Sequence, residues 1–335
     1  MEEIRKVAKE RMKGFCRVCP VCDGRACAGE VPGMGGLGTA SSFKANLSAL
    51  ASVRLNMRLV HDVKTPSTKT ELFGIPMDLP LMAAPIGGVS FNMGGKVTEE
   101  EYIGAIVSGC KEKGLIGCTG DGVPEFIHAS GYAAISEAGG HGVPFIKPWE
   151  EAEFFEKLEK AESTGCKVFG VDIDAAGLVT LAKMGRPVTP FTIADLKTIL
   201  SKTSMQFILK GVMTVDDALA ARDAGAHGIV VSNHGGRVLE GTPGSAEVLP
   251  EIAKAVGNDL TVLADGGIRS GGDILKMLAL GAKGVMVGRP FSIAAVGGLQ
   301  DGVEALIDQY KGQLTSAMVL TGTADVTSVS PDILR

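Results

Sequence analysis

Residues 228–237 read Gly228-Ile229-Val230-Val231-Ser232-Asn233-His234-Gly235-Gly236-Arg237, and residues 261–269 read Thr261-Val262-Leu263-Ala264-Asp265-Gly266-Gly267-Ile268-Arg269. Each is a short apolar run, rich in β-branched residues, that stops at polar residues and glycines. No alternation of apolar and polar residues is visible, so both faces of such a strand must be buried, as in a parallel sheet. The same unit recurs along the chain. The predicted strands are Leu79–Pro85, Leu115–Thr119, Pro144–Lys147, Lys167–Asp174, Gln206–Lys210, Gly228–His234, Thr261–Gly266 and Gly284–Gly288. Helical patterns separate them. Thr98-Glu99-Glu100-Glu101 and Thr214-Val215-Asp216-Asp217 each place a hydroxyl three residues before an acid, a helix-start signal. Gly165 and Gly225 are placed to end the helices that precede them. Eight strand-then-helix units predict an α/β fold of the closed (β/α)₈ TIM-barrel type. A doubly wound open sheet is the competitor, but no G-x-G-x-x-G follows the first strand.

The 335 residues suit one barrel of about 250 residues plus extensions. We divide the chain into an N-terminal extension, residues 1–75, and a barrel, residues 76–335. The extension carries helices over Glu2–Phe15 and Ser41–Val53, a cysteine cluster between them, and the Gly-rich loop Pro32-Gly33-Met34-Gly35-Gly36-Leu37-Gly38. With 45% hydrophobic residues the chain can build a large core, and 21% charged residues is not a disordered composition. A net charge of −5 without a basic block gives no footprint for nucleic acid. The first residues are charged and lack the apolar segment of a secretory signal, and no run approaches the roughly 18–20 apolar residues of a membrane span. A soluble cytoplasmic protein is expected, with its seven cysteines largely reduced or bound to metal.

In such a barrel the active site lies at the C-terminal ends of the strands. Strand five ends at Lys210, strand six at His234-Gly235-Gly236-Arg237, strand seven at Asp265-Gly266-Gly267-Ile268-Arg269 and strand eight at Gly288-Arg289-Pro290. Burying these charges on one rim is costly unless they pair or meet a ligand. The last two ends resemble a phosphate site, with Gly-rich turns leading into helices beside Arg269 and Arg289. Asp265 suits a hydroxyl-rich chain such as ribityl or ribose. His234 suits proton abstraction near neutral pH, Arg237 a bidentate grip on a carboxylate, and Lys210 the stabilisation of negative charge on an electron-accepting ring. Taken singly, each has a plainer reading: a structural histidine, a surface ion pair, a lysine reaching solvent. Their gathering on one rim favours the functional one.

These motifs, in this order from about Phe207 to Phe291, together with Met82-Ala83-Ala84-Pro85-Ile86-Gly87, resemble the FMN-dependent α-hydroxy-acid oxidase and dehydrogenase family, which includes glycolate oxidase, lactate oxidase and mandelate dehydrogenase. The resemblance implies oxidation of a 2-hydroxy acid, with His234 as base, Arg237 on the substrate carboxylate and Lys210 by the flavin N1 and O2 edge. It places Asp265 on the ribityl hydroxyls, Gly267, Arg269, Gly288 and Arg289 on the phosphate, and Pro85, Ile86 and Gly87 along the isoalloxazine. Thr119 and Asp172 are further flavin contacts by the same likeness. It also implies a homo-oligomer, a tetramer or larger. The electron acceptor is not legible.

The chain departs from the family at the substrate. The family's second carboxylate-binding arginine is replaced by Leu178-Val179-Thr180 after Gly177, leaving Arg186 as the nearest substitute and Lys147 as a second cation. Neither of the family's active-site tyrosines aligns with Tyr102, Tyr132 or Tyr310. Cys16, Cys19, Cys22 and Cys27 follow the spacing C-x₂-C-x₂-C-x₄-C, which suits thiolate coordination of zinc or of a [4Fe–4S] cluster and is not usual in the family. Redox-active thiols and plain packing are the other readings. Two alternative functions are an FMN barrel of the type 2 isopentenyl-diphosphate isomerase kind, which lacks the His-Gly-Gly-Arg element, and a flavin electron-transfer protein.

Overall fold

The computed structural model describes residues 1–335. Eight parallel strands close into a barrel: β1 Leu81–Ile86, β2 Ile116–Thr119, β3 Val143–Ile146, β4 Val168–Asp172, β5 Gln206–Val212, β6 Gly228–Val231, β7 Thr261–Ala264 and β8 Gly284–Val287. Each pairs with its sequence neighbours, and β8 closes on β1 through Val285 opposite Leu81 and Met286 opposite Met82. Every residue of β2, β3, β4, β6 and β8 is buried, which is why their sequences do not alternate. A short antiparallel hairpin, Thr70–Leu72 with Ile75–Met77, precedes β1.

The predicted strands all form, and most are shorter than read. β4 stops at Asp172 and passes into a 3₁₀ turn, Ile173–Gly177, while β6 stops at Val231 before Ser232 and Asn233. The polar ends of these runs belong to the rim, where backbone groups leave the ladder. Thr98 caps the helix Glu99–Glu112 in a full capping box with Glu101. Thr214 accepts from the Asp217 N–H, without the reciprocal half. Gly225 ends its helix at φ +99°.

The N-terminal helix spans Glu2–Arg11, a turn shorter than expected, and packs against the long C-terminal helix Arg289–Thr321, which is broken at Leu299. A side chain at Gly297 would collide with the Ile4 carbonyl, so the two helices approach as only glycine allows. Ala8, Met12 and Leu50 share one apolar core with the barrel strands. The Gly-rich loop reaches the rim, where the Leu37 N–H donates to the Gly236 carbonyl at 2.8 Å. No helix is long and apolar enough to cross a membrane.

Candidate active site

One large cavity, with about 1250 Å³ of empty space including its mouth, opens at the C-terminal rim, and residues near the ends of all eight strands line it, Lys210 from within β5 shortly before its end at Val212. Pro85, Ile86, Gly87, Lys147, Asp172, Lys210, His234, Arg237, Asp265, Gly267, Arg269, Gly288 and Arg289 are in its wall. Thr119 is not. It is buried with its side chain against Gly131 of the helix outside the barrel, so the expected cavity-facing hydroxyl is corrected. The neighbouring Gly120 and Asp121 face the cavity in its place.

His234 sits at φ +55°, followed by Gly235 at +62° and Gly236 at +77°. Three successive left-handed residues turn the chain sharply back, and a non-glycine residue there is strained by about 1–3 kcal/mol. Asn233 holds the turn by accepting the Gly236 N–H and the Asn46 amide. A Cβ on Gly236 would lie 2.3 Å from the Phe43 nitrogen, so the helix Ser41–Ser52 seals the turn from outside. The turn presents the imidazole to the cavity, with Nδ1 2.9 Å from Asp174 Oδ1 and 3.4 Å from Lys210 Nζ. Nδ1–H donates to Asp174, which leaves Nε2 as the nitrogen with a free lone pair.

Beneath His234, Lys210 Nζ pairs with Asp172 Oδ1 at 2.9 Å, and Lys147 Nζ lies 3.9 Å from Asp172 Oδ2. Burial works against ionising Asp172, but the positive charges of Lys210 and Lys147 close by outweigh it and hold the carboxyl below its ordinary range. Burial likewise disfavours the Lys210 ammonium, and Asp172, Asp174 and Asp265 reverse that, keeping it charged.

The residues present fit FMN. Asp265 accepts the Ser232 hydroxyl on Oδ2 at 2.8 Å, while its buried Oδ1 has no partner. Such an acceptor in the cavity wall suits a ribityl hydroxyl. Burial, partly offset by Lys210, raises the Asp265 pKa. Arg237, Arg269 and Arg289 donate only to main-chain carbonyls, Asn92 Oδ1 and the Cys22 thiol, and the buried Arg269 Nε has no acceptor. Burial lowers the Arg237 pKa to about 10, and burial with repulsion from Arg237 and Arg269 lowers that of Arg289. Guanidinium groups without a carboxylate partner call for an anion, which a flavin phosphate supplies.

The substrate end differs from the family pattern as expected. Leu178, Thr180, Leu181 and Met184 line the cavity where the missing arginine would stand. Arg186 is no substitute: it pairs with Glu153, packs on Trp149 and is absent from the wall. Tyr102 is buried against Ser292, and neither Tyr132 nor Tyr310 lines the cavity. Lys147 does line it, and its N–H donates to Asp121.

Four positioning residues escaped the sequence reading. Asp174 orients His234. Glu99 accepts the N–H groups of Gly88 and Val89 at 2.9 and 2.7 Å, shaping the loop after β1. Buried Asp121 gathers Trp149 Nε1, Lys157 Nζ and the Lys147 N–H. Asn92 accepts from Arg237 at 3.0 Å. Asp174 follows Asp172 by two residues at a strand end, a signal that could have exposed it. Asp121 stands two residues beyond the end of β2 in the same way, whereas Glu99 acts from the helix after β1 and Asn92 reaches Arg237 across 145 residues.

This barrel, with a cation-rich rim and a histidine backed by a carboxylate, defines a flavin oxidoreductase site, and comparison with known proteins agrees. The family model described as FMN-dependent dehydrogenase matches residues 33–187 and 180–335. The chain belongs to this family and is an FMN-dependent oxidoreductase. It is 34% identical to an L-lactate dehydrogenase of Caulobacter sp. (strain K31), over 90% of this chain and 92% of that protein. It is 32% identical to a 4-hydroxymandelate oxidase of Amycolatopsis orientalis, over 87% and 89%. A crystal structure of mandelate oxidase with benzoyl-formic acid superposes with a TM-score of 0.81 at 29% identity, covering 100% of this chain and 97% of that one. The matches are to FMN-dependent dehydrogenases and oxidases of 2-hydroxy acids, so the isomerase alternative is set aside.

Proposed function

We propose that the protein oxidises a 2-hydroxy acid with an apolar side group to the 2-oxo acid. The arrangement that carries this reading is His234 fixed by Asp174, with Nε2 free beside a rim of cations. The relatives named above act, by their names, on lactate and 4-hydroxymandelate, both 2-hydroxy acids.

FMN, when bound, supplies the two-electron acceptor. Asp265 would hold its ribityl chain, Gly267, Arg269, Gly288 and Arg289 its phosphate, and Pro85, Ile86 and Gly87 the ring, with Lys210 as fixed positive charge at the ring edge. Arg237 retains donors beyond those it spends on Gly33, Gly35 and Asn92, and with Lys147 it binds the substrate carboxylate. Lys147 binds as a point charge where the family uses a planar fork. His234 Nε2 removes a proton from the substrate, and Asp174 stabilises the imidazolium that results. Leu178, Leu181, Met184 and Phe91 give the substrate's side group an apolar wall. A cytoplasmic location and a homo-oligomer belong to the same reading, the latter checked by light scattering.

The test is an anaerobic absorption spectrum of the flavin-loaded protein before and after a panel of 2-hydroxy acids. Those with aliphatic or aromatic side groups should bleach the flavin faster than glycolate. His234→Ala should keep the flavin and slow the bleaching by about 10²–10⁴-fold. If no acid bleaches the flavin, the electron-transfer alternative replaces this reading.

A further inference from the structure

The four clustered cysteines have no part in the oxidation of a 2-hydroxy acid, yet the fold brings them together. All are free and half-buried, whereas Cys110, Cys118 and Cys166 are buried in the core. They lie on a segment with no helix or strand between Met12 and Ala40, and all four line one small cavity, with about 430 Å³ of empty space including its mouth. Arg5 donates to the Cys19 carbonyl at 2.6 Å, and Arg269 to the Cys22 carbonyl at 3.3 Å. Two donors already point at sulfur: the Val18 N–H at Cys16 Sγ, 3.4 Å, and Arg269 Nη2 at Cys22 Sγ, 3.5 Å. Met34 and Arg289 line this cavity and the flavin cavity alike, so the two share a wall.

We infer that Cys16, Cys19, Cys22 and Cys27 ligate a [4Fe–4S] cluster beside the flavin site. The spacing C-x₂-C-x₂-C is that of cubane ligands, and here the fourth ligand comes from the same loop. A single zinc ion fits less well. Zn–S bonds of about 2.3 Å draw the sulfurs to within roughly 4 Å of one another, but Asp172, Asp174 and His234 form the one set of three such ligand atoms within 4.8 Å. A cubane holds its thiolates further apart, because irons and sulfides lie between them. Charge agrees as well. A phosphate and a thiolate-ligated cluster, both anionic, flank the shared wall that holds Arg289, and Arg269 reaches from the flavin cavity to Cys22, both guanidinium groups without carboxylate partners. Donors to sulfur tune a cluster's potential.

The role of the cluster rests on the proposed function. Each 2-hydroxy acid oxidised releases two electrons and two protons. The protons pass to solvent, and the electrons leave through the cluster in two single steps to a one-electron carrier protein. Such an enzyme has no need of oxygen as acceptor.

The whole protein, purified anaerobically, is assayed for iron, acid-labile sulfide and zinc, and by low-temperature electron paramagnetic resonance after dithionite reduction. About four irons and four sulfides per chain with a reduced-cluster signal are expected. A Cys19→Ser, Cys22→Ser protein should lose the iron and keep FMN, whereas Cys166→Ser should keep both. One zinc per chain, or a metal-free protein, overturns the proposal, and this assay of the unmutated chain decides even if the variants fail to fold. Substrate addition separates the two readings. Flavin bleaching without the cluster signal removes the electron-exit role and leaves the hydroxy-acid reading standing. A cluster without bleaching by any acid keeps the cluster site and removes the hydroxy-acid reading together with the electron-exit role that rests on it.

Discussion

His234 shows how much chemistry a single backbone conformation arranges. Its positive φ would be costly in isolation, and the glycines after it with the Asn233 bonds hold it there. The imidazole is then aimed by Asp174. Asp174→Asn should slow flavin reduction by substrate about 10–10⁴-fold, the lower end as for a carboxylate that only orients a histidine and the upper as for one behind a catalytic base, with FMN content unchanged. Stopped-flow reduction checks this, and an unimpaired variant would remove Asp174 from the mechanism. Asp265 predicts a trade between folding and cofactor binding. Its folded pKa is raised, so the folded protein holds the proton more tightly than the unfolded chain does. Ionisation therefore costs the flavin-free protein stability as pH rises from about 4, the unfolded value, through the folded one, and nothing below both. Asp265→Asn should make the flavin-free protein more stable at pH 7, with the gain vanishing below about pH 4. The same variant should bind FMN more weakly, because the acceptor for the ribityl chain is gone. Thermal melts with and without FMN across pH test both halves, and a less stable flavin-free variant at pH 7 would contradict the sign.

At the scale of elements, strands and helices divide the work. The buried strands supply a rigid frame, and the functional groups stand near strand ends, where the ladder stops and side chains turn inward to the rim. Helix ends set the loops between them. Thr98 caps the helix that carries Glu99, and Glu99 in turn holds the N–H groups of the loop along the flavin site. Thr98→Ala should cost about 1 kcal/mol of stability. It should also loosen FMN, since the first turn positions Glu99. Urea denaturation and equilibrium dialysis measure the two effects, and an unshifted midpoint would show that the cap is redundant.

For the molecule as a whole, the N-terminal segment is part of the site. Gly33, Met34 and Gly35 offer carbonyls to Arg237 and Arg289, and Leu37 bonds to the histidine turn. A chain lacking residues 1–38 loses the carbonyls of Gly33, Met34 and Gly35 that hold both guanidinium groups, at about 1.5–3 kcal/mol for each hydrogen bond to a charged group. It also uncovers the C-terminal helix that residues 2–11 pack against. That sum is large against a typical stability of 5–15 kcal/mol. The truncated protein should melt well below the whole chain and release FMN on gel filtration. Equal melting and flavin retention would show the segment to be an appendage.

The eight apolar runs by themselves determined the barrel, because a strand buried on both faces must be apolar throughout and each run is bounded by its own turn residues. The residues at the ends of β5 to β8 were legible for the same reason: charge at the end of an apolar strand stands out. Tertiary structure decided what depends on direction and distance. Thr119 is polar and at a strand end, yet the pleat turns it outward. Arg186 has the right charge but is drawn to Glu153 and Trp149, and Asp174, Glu99 and Asp121 act on groups that only folding brings near. The cysteine spacing stood out in the sequence, but only the fold placed the four thiols beside Arg289 and the wall of the large cavity. Burial and periodicity are local and leave their mark on the sequence, whereas the aim of a side chain is set by neighbours from distant parts of the chain.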